Sequence, residues 1–131
     1  MKKAKACPCG SHIHYSKCCG PIHQDINLAV TAEQLMRSRY TAYTLADGDY
    51  LMKSHYSKTR PVQDKAEIVS WSKSVLWIRL VILNSTKGQE NDTSGTVEFK
   101  AYFMSQGEVD VIHENSEFIK ENGHWVYVDM V

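Results

Sequence analysis

The four cysteines of this 131-residue chain all fall within its first nineteen residues, as Cys7 and Cys9 and then the adjacent Cys18 and Cys19. Four thiolates at this spacing suit tetrahedral Zn²⁺, which prefers sulfur donors and takes four of them in closed structural sites. Unrelated buried or redox-active cysteines are one alternative, and a disulfide framework is another. Disulfides persist in oxidising compartments, and no apolar signal segment precedes Cys7. The spacing therefore predicts one structural zinc ion bound by these four residues.

The composition is that of a globular protein with room for one ordinary domain and a small appendage. Hydrophobic residues make up 43% of the chain, and no apolar run approaches the roughly 20 residues of a membrane span. The absence of a targeting segment, together with reduced cysteines, leads us to expect a cytoplasmic protein with no membrane contact.

The formal net charge is zero but unevenly distributed. Residues 1–24 contain four lysines and no acidic residue, so residues 25–131 carry a net negative charge. Lys3, Lys5 and Lys17 are expected to form a small basic face on the cysteine-rich segment. Three or four phosphate contacts leave nucleic-acid affinity weak at physiological salt, so we expect a protein partner rather than nucleic acid.

The first half of the chain has helical patterns. Residues 1–20 are too short and polar to bury a core, and a polar connector runs to about Val30. Thr31 offers an N-cap with Gln34 at the capping-box offset, which predicts a helix from Ala32 to Leu45. Its apolar stripe includes Arg39, while Arg37, Ser38 and Thr41 are expected to face outward. A short second helix follows through residues 50–55, and a third is predicted from about Asp64 to Lys73.

The second half has strand patterns. A near-continuous aliphatic run predicts a strand over residues 76–84, and alternation predicts a second over 96–104. Turns at residues 105–108 and 121–124 separate two further strands, over 109–120 and 125–130. A polar loop is expected over 85–94. Helices followed by consecutive antiparallel strands predict an α+β fold in which a curved sheet packs on three helices.

Two sets of motifs resemble a known family. The segments Cys7-Pro-Cys9-Gly10-Ser11 and Lys17-Cys18-Cys19-Gly20 resemble the SEC-C motif, the zinc knuckle at the C-terminus of the translocation ATPase SecA. The following segments 35–43, 49–51, 95–99, 113–114 and 123–129 resemble the bacterial YchJ family. The resemblance implies a SEC-C knuckle over residues 1–24 and a cone-shaped nuclear-transport-factor-2-like domain over residues 25–131. It implies a fold but no particular reaction.

Folds of this type enclose a cavity between the sheet and the helices. The polar residues expected to reach it, and so to be candidate ligand-binding residues, are Arg39, Glu98, Tyr102, His113 and Glu114. A buried arginine needs a partner, and Glu98 and Glu114 are the natural ones. Arg39 could be an anion clamp with His113 and Glu114 as an acid–base unit, or it could form a purely structural ion pair. Neighbours along a strand face opposite sides, which favours the structural interpretation. No catalytic residue can be assigned.

Two functional interpretations follow. In the first, the protein is a zinc-knuckle adaptor that binds a protein partner through residues 1–24, with the α+β domain as a scaffold that could homodimerise through its sheet. In the second, it is a small-molecule-binding protein or enzyme that uses the cavity around Arg39. A sealed apolar core would favour the adaptor, and an open pocket with convergent polar groups would favour the second interpretation.

Overall fold

The computed structural model describes residues 6–131. They form a cysteine-rich segment (residues 6–24, which includes the first helix), three further α-helices and one four-stranded antiparallel sheet. The helices are α1 (Cys19–Gln24), α2 (Ala32–Thr44), α3 (Gly48–Lys53) and α4 (Lys65–Ser74). The strands are β1 (Leu76–Lys87), β2 (Ser94–Ser105), β3 (Glu108–Glu121) and β4 (His124–Met130), and they lie side by side in chain order. The predicted α+β class and the order of the elements are confirmed.

Local signals explain where helix α2 begins. The Thr31 hydroxyl oxygen accepts a hydrogen bond from the Gln34 backbone N–H at 3.1 Å, and the Gln34 side chain accepts one from the Val30 backbone N–H at 2.8 Å. The first bond satisfies an N–H group that a helix start leaves without an intrahelical partner, and the second fixes the chain just before the cap. Asp47 caps α3 in the same way through the Tyr50 backbone N–H. The predicted capping position of α2 is therefore confirmed.

The sheet follows the predicted alternation. On β2, the side chains of Val97, Phe99, Ala101 and Phe103 are buried against the helices. The β2–β3 and β3–β4 connections are two-residue turns, Gln106-Gly107 and Asn122-Gly123, with positive φ at all four positions. Such turns match the twist of a hairpin and fix its register.

Two segments differ from the sequence-based expectation. The connector before Val30 is not a polar linker, because α1 and the turn after it bury Ile22, Ile26 and Ala29 in the main core. Strand β1 is an edge strand that runs on to Lys87, and it leaves Leu76 and Ile78 exposed on its outer side. An aliphatic run identifies a strand, but it does not tell how many of its sides are covered.

Across residues 6–131, no helix combines the length and apolar character that crossing a membrane requires.

Candidate metal centre and ligand cavity

The four cysteine sulfurs converge on one point. The Cys7 backbone N–H donates to the Ile13 carbonyl at 2.7 Å, which folds the chain back after the first pair. Gly10 permits the turn because its φ is +85° and a side chain there would press on the Leu80 carbonyl. Cys18 and Cys19 lie where a 3₁₀ turn runs into α1. As a result, all four Sγ atoms lie within 4.8 Å of one another.

This donor set fits a tetrahedral metal site. Cys9 Sγ and Cys18 Sγ are 3.6 Å apart, and four thiolates bound to zinc at about 2.3 Å would lie roughly 3.8 Å from each other. Cys7, Cys9 and Cys19 are buried, and Cys18 is partly exposed. The Ser11 hydroxyl lies 3.1 Å from Cys18 Sγ, in a position to orient this sulfur. The four cysteines could therefore hold a metal ion.

The sulfurs lie close enough to influence one another's protonation. The adjacent Cys19 thiol, together with Ser11, holds the pKa of the Cys9 thiol well below its usual range. The hydrogen bond to Cys9 and burial raise the pKa of Cys19, and burial raises the pKa of Cys18. The cluster thus favours a thiolate at Cys9, which is the form that binds metal.

Helix α2 packs directly against this cluster. Thr41 Oγ1 donates to Cys19 Sγ at 3.4 Å and lies 3.5 Å from Cys7 Sγ. Arg37 Nη1 donates to the Cys9 carbonyl oxygen at 2.6 Å, and Arg37 Nε donates to Glu33 at 3.0 Å. The prediction that Arg37, Ser38 and Thr41 face outward is wrong, because the cysteine-rich segment covers that side of the helix. Ser38 and Thr41 are fully buried.

His23 provides a second link between the cysteine-rich segment and helix α2. His23 Nε2 lies 2.8 Å from the Ser38 carbonyl oxygen, which can only accept, so Nε2 carries the proton. His23 Nδ1 then accepts from the Tyr15 hydroxyl at 2.8 Å. A Cβ at Gly20 would lie only 2.8 Å from the Tyr15 carbonyl oxygen, so this close approach requires glycine. The cysteine-rich segment is thus fixed to α2 at both of its ends.

On its other side, α2 faces a cavity of about 280 Å³ between the helices and the sheet. Most of the wall is apolar or aromatic. The polar side chains in its wall are those of Arg39, Tyr40, Tyr43, His55, Glu114 and Tyr127, and its largest aromatic rings are those of Trp71 and Trp77. An apolar pocket with a few convergent polar groups is the usual form of a small-molecule site.

Arg39 is the buried charge of this cavity, and it is only 5% exposed. Its Nη1 donates to the Leu51 carbonyl oxygen at 2.9 Å and to Ser54 Oγ at 2.7 Å. Its guanidinium carbon lies 4.8 Å from the centre of the Tyr127 ring. The predicted ion pair with Glu98 or Glu114 is wrong: no carboxylate of residues 6–131 lies within 4.0 Å of Arg39. Glu98 faces the opposite side of the sheet, and Glu114 instead accepts a hydrogen bond from Ser116 at 3.1 Å.

The other candidate residues do not join this site. Glu98, Tyr102 and His113 lie on the outer face of the sheet, where His113 Nε2 and Glu98 Oε2 are 2.8 Å apart. Their neighbours Phe99, Ala101 and Glu114 line the cavity, and side chains alternate between faces. His113 and Glu114 therefore cannot form one acid–base unit. The homodimer through this outer face stays a prediction.

Sequence reasoning missed the contribution of His55 to the cavity. The segment after α3 pairs with β4, because the Tyr56 backbone N–H donates to the Tyr127 carbonyl at 2.7 Å. This pairing places the His55 ring against Tyr127, with ring centres 5.1 Å apart. Burial, followed by the charges of Arg39 and Arg60, lowers the pKa of His55 to about 4. No local pattern marks a single histidine beyond a short helix.

Comparisons with known proteins agree with this architecture. The family model described as YchJ, middle NTF2-like domain, matches residues 31–130. A UPF0225 protein of Photorhabdus laumondii is 41% identical over 95% of this chain and 79% of its own length. The UPF0225 protein YchJ of Shigella dysenteriae is 37% identical over 96% of this chain and 82% of its own length.

Two solved structures share the fold. A SEC-C motif containing protein from Rhodopseudomonas palustris superposes with a TM-score of 0.85 at 35% identity, covering 95% of this chain and 96% of that one. A second, from Psychrobacter arcticus, has a TM-score of 0.81 at 29% identity, covering 95% and 81%. The cysteine cluster, the α+β architecture and these relatives together show that the chain belongs to the YchJ family.

Proposed function

We propose that this protein binds a small molecule in the cavity that α2, α3, α4 and the sheet enclose. The observation that carries the proposal is Arg39, a charged side chain buried in the cavity wall with no carboxylate beside it. A buried charge without a counter-ion is costly, so its presence in an otherwise apolar wall calls for a reason beyond packing. Neutral groups, the Leu51 carbonyl and Ser54, hold Arg39 in place and leave its positive charge without a counter-ion in the wall, as a site for an anionic group requires.

The size and lining of the cavity support the same proposal. A scaffold whose only task is packing is expected to have a close-packed core with few voids larger than a water molecule. Here about 280 Å³ is left open among aromatic side chains, just below the roughly 300 Å³ at which pockets for drug-sized ligands begin. The ligand is accordingly a small metabolite.

For the cysteine cluster, we propose zinc in a structural role. Four sulfur donors complete a tetrahedral shell and leave no open position for a substrate or a water nucleophile. The ion would hold the cysteine-rich segment on the side of α2 opposite the cavity. The reduced thiols that such a site needs favour a reducing compartment such as the cytoplasm.

Protein binding through the knuckle is the second candidate function. Ile13 is 50% exposed on the cysteine-rich segment, and the Lys17 side chain nearby is exposed. Lys3 and Lys5, which complete the predicted basic face, lie outside the described residues. Together with the resemblance to SEC-C docking modules, an exposed aliphatic side chain beside a lysine supports a partner that combines apolar and acidic contacts.

Small-molecule retention tests the first function. Full-length protein is incubated with a bacterial metabolite extract, washed and denatured, and the released molecules are identified by mass spectrometry. Ala101→Phe fills the cavity, and Lys100→Phe places the same ring on the opposite face of β2 as the matched control. We expect the wild type and Lys100→Phe to retain the same compound, and Ala101→Phe to lose it.

The two functions are separated with a double variant of the knuckle surface, Ile13→Ser with Lys17→Glu. This variant should keep the small molecule and lose a protein partner. Retention of nothing by the wild type, or equal retention by the folded Ala101→Phe protein, would reject ligand binding in the cavity.

A further inference from the structure

Resting on the proposed function, we propose the class of the ligand: a small zwitterion with a flat apolar body. Its anionic group pairs with Arg39, its ammonium or N–H donor pairs with Glu114, and its flat body lies against Trp71 and Trp77.

The anion-binding position follows from the unused nitrogens of Arg39. Nη1 makes both of the protein hydrogen bonds described above. Within the described part of the chain, no hydrogen bond reaches Nε or Nη2, and no fully buried side-chain nitrogen or oxygen lacks a partner. These two nitrogens therefore keep some accessible surface, and the residue that carries them lines the cavity. Adjacent guanidinium donors match the two oxygens of a carboxylate.

The cation-binding position follows from Glu114. Its Oε1 accepts from Ser116 Oγ, and within residues 6–131 no hydrogen bond reaches its second oxygen. Tyr127 packs against Arg39, and both charges act on it: burial, and then the charge of Glu114, raise the pKa of Tyr127 to about 12, while Arg39 opposes this shift. The cavity thus presents one cation and one anion that are not paired with each other.

A ligand with a single charge would cover both protein charges and leave one of them unpaired. A bound ligand displaces water from both charges, so an unmatched one costs free energy. His55 adds no cation near neutral pH, because its pKa is lowered to about 4. A zwitterion is the smallest ligand that neutralises both positions.

The flat body follows from the aromatic part of the wall. The Trp71 and Trp77 rings are 5.3 Å apart and nearly perpendicular, and Tyr43 lies 5.6 Å from Trp77. Aromatic faces and edges arranged in this way favour a planar apolar group, through both burial and ring–ring contacts. Both tryptophans line the same cavity as Arg39 and Glu114.

Four probes that share one ring system test the charge requirement. Full-length protein is titrated calorimetrically with four compounds. L-tryptophan carries both charges, indole-3-propionate only the negative one, tryptamine only the positive one, and indole carries none. We expect L-tryptophan to bind at least about tenfold more tightly than indole, with the singly charged probes in between. Glu114→Gln should remove the advantage of L-tryptophan over indole-3-propionate, and Arg39→Met should remove its advantage over tryptamine.

The wild-type series alone decides the inference if a variant fails to fold. Indole binding as tightly as L-tryptophan would overturn the charge assignment and leave ligand binding in the cavity intact. Failure of all four probes would overturn the proposed ligand class. The metabolite-retention experiment with Ala101→Phe does not depend on these probes, so the two failures are distinguishable.

Discussion

Arg37 Nη1 donates to the carbonyl oxygen of Cys9 at 2.6 Å and so joins helix α2 to the cysteine cluster. Two residues further along the same helix, Arg39 points into the cavity wall. Helix α2 therefore lies between the metal centre and the proposed ligand site, and each of its faces is occupied by one of them. Arg37 thus ties the cysteine cluster to the helix that also forms part of the cavity wall.

Replacing Arg37 tests this link. Arg37→Met keeps most of the stem but loses the hydrogen bond to Cys9, so we expect the free energy of unfolding to fall by about 1 kcal/mol for a half-buried charged donor. Zinc should also dissociate faster. Glu33→Gln is the control, since it weakens the exposed ion pair with Arg37 while leaving the bond to Cys9. An equal loss of unfolding free energy in both variants would show that the hydrogen bond from Arg37 to Cys9 contributes nothing to stability.

Replacing Thr41 tests the contact between helix α2 and the cysteine sulfurs. Thr41→Val is close in shape but removes the hydroxyl that contacts Cys7 and Cys19, so we expect a loss of about 1 kcal/mol in urea unfolding. Thr44→Val removes a hydroxyl from the same helix one turn later, where it donates a hydrogen bond to the Thr41 carbonyl and none to a cysteine of the cluster within residues 6–131. Zinc affinity, measured by competition with a chromogenic chelator, should fall for Thr41→Val and stay unchanged for Thr44→Val.

The metal centre itself is tested by metal analysis. We expect about one zinc per chain in reduced wild-type protein and a large loss in Cys18→Ser, because a four-thiolate site needs every ligand. Chelation should unfold the cysteine-rich segment and leave the sheet folded, since the sheet has its own core. Less than about half an equivalent of zinc in the wild type would contradict the assignment.

The lowered pKa of His55 predicts that the stability of the protein depends on pH. Its pKa is about 4 in the folded protein and 6.5 when unperturbed, so between these values the unfolded chain binds a proton that the folded one excludes. Stability is fully present above pH 6.5 and falls as the pH drops toward 4, by on the order of 2 kcal/mol for a partly buried group. His55→Gln should lose this component of the pH profile. Identical profiles for the wild type and His55→Gln would refute the shift.

The sequence was informative wherever the cause of a structure is local. The N-cap at Thr31, the hairpin turns at Gly107 and Gly123, and the convergence of four closely spaced cysteines follow from neighbouring residues. The α+β class follows from the order of these patterns.

Errors arose where the partner of a residue is distant in the chain. Ser38 and Thr41 resemble surface residues on an isolated helix, and only the docked cysteine-rich segment buries them. Glu98 and His113 were expected in the cavity, although alternation places each on the face opposite to its neighbour, Phe99 or Glu114, and the structure puts both on the outer face. The partners of Arg39 were not predictable, because the Leu51 carbonyl and Ser54 are positioned by the way α3 packs on α2.

Methionine methyl groups provide the most direct measurement of the central claim, that the cavity is a small-molecule site. Met36 and Met52 line the cavity, whereas Met104 and Met130 lie on the outer face and at the end of β4. In protein labelled with ¹³C at the methionine methyl groups, adding the metabolite that the protein retains should shift the Met36 and Met52 signals and leave those of Met104 and Met130 in place. Shifts confined to Met104 or Met130, or no shift at all, would contradict the account.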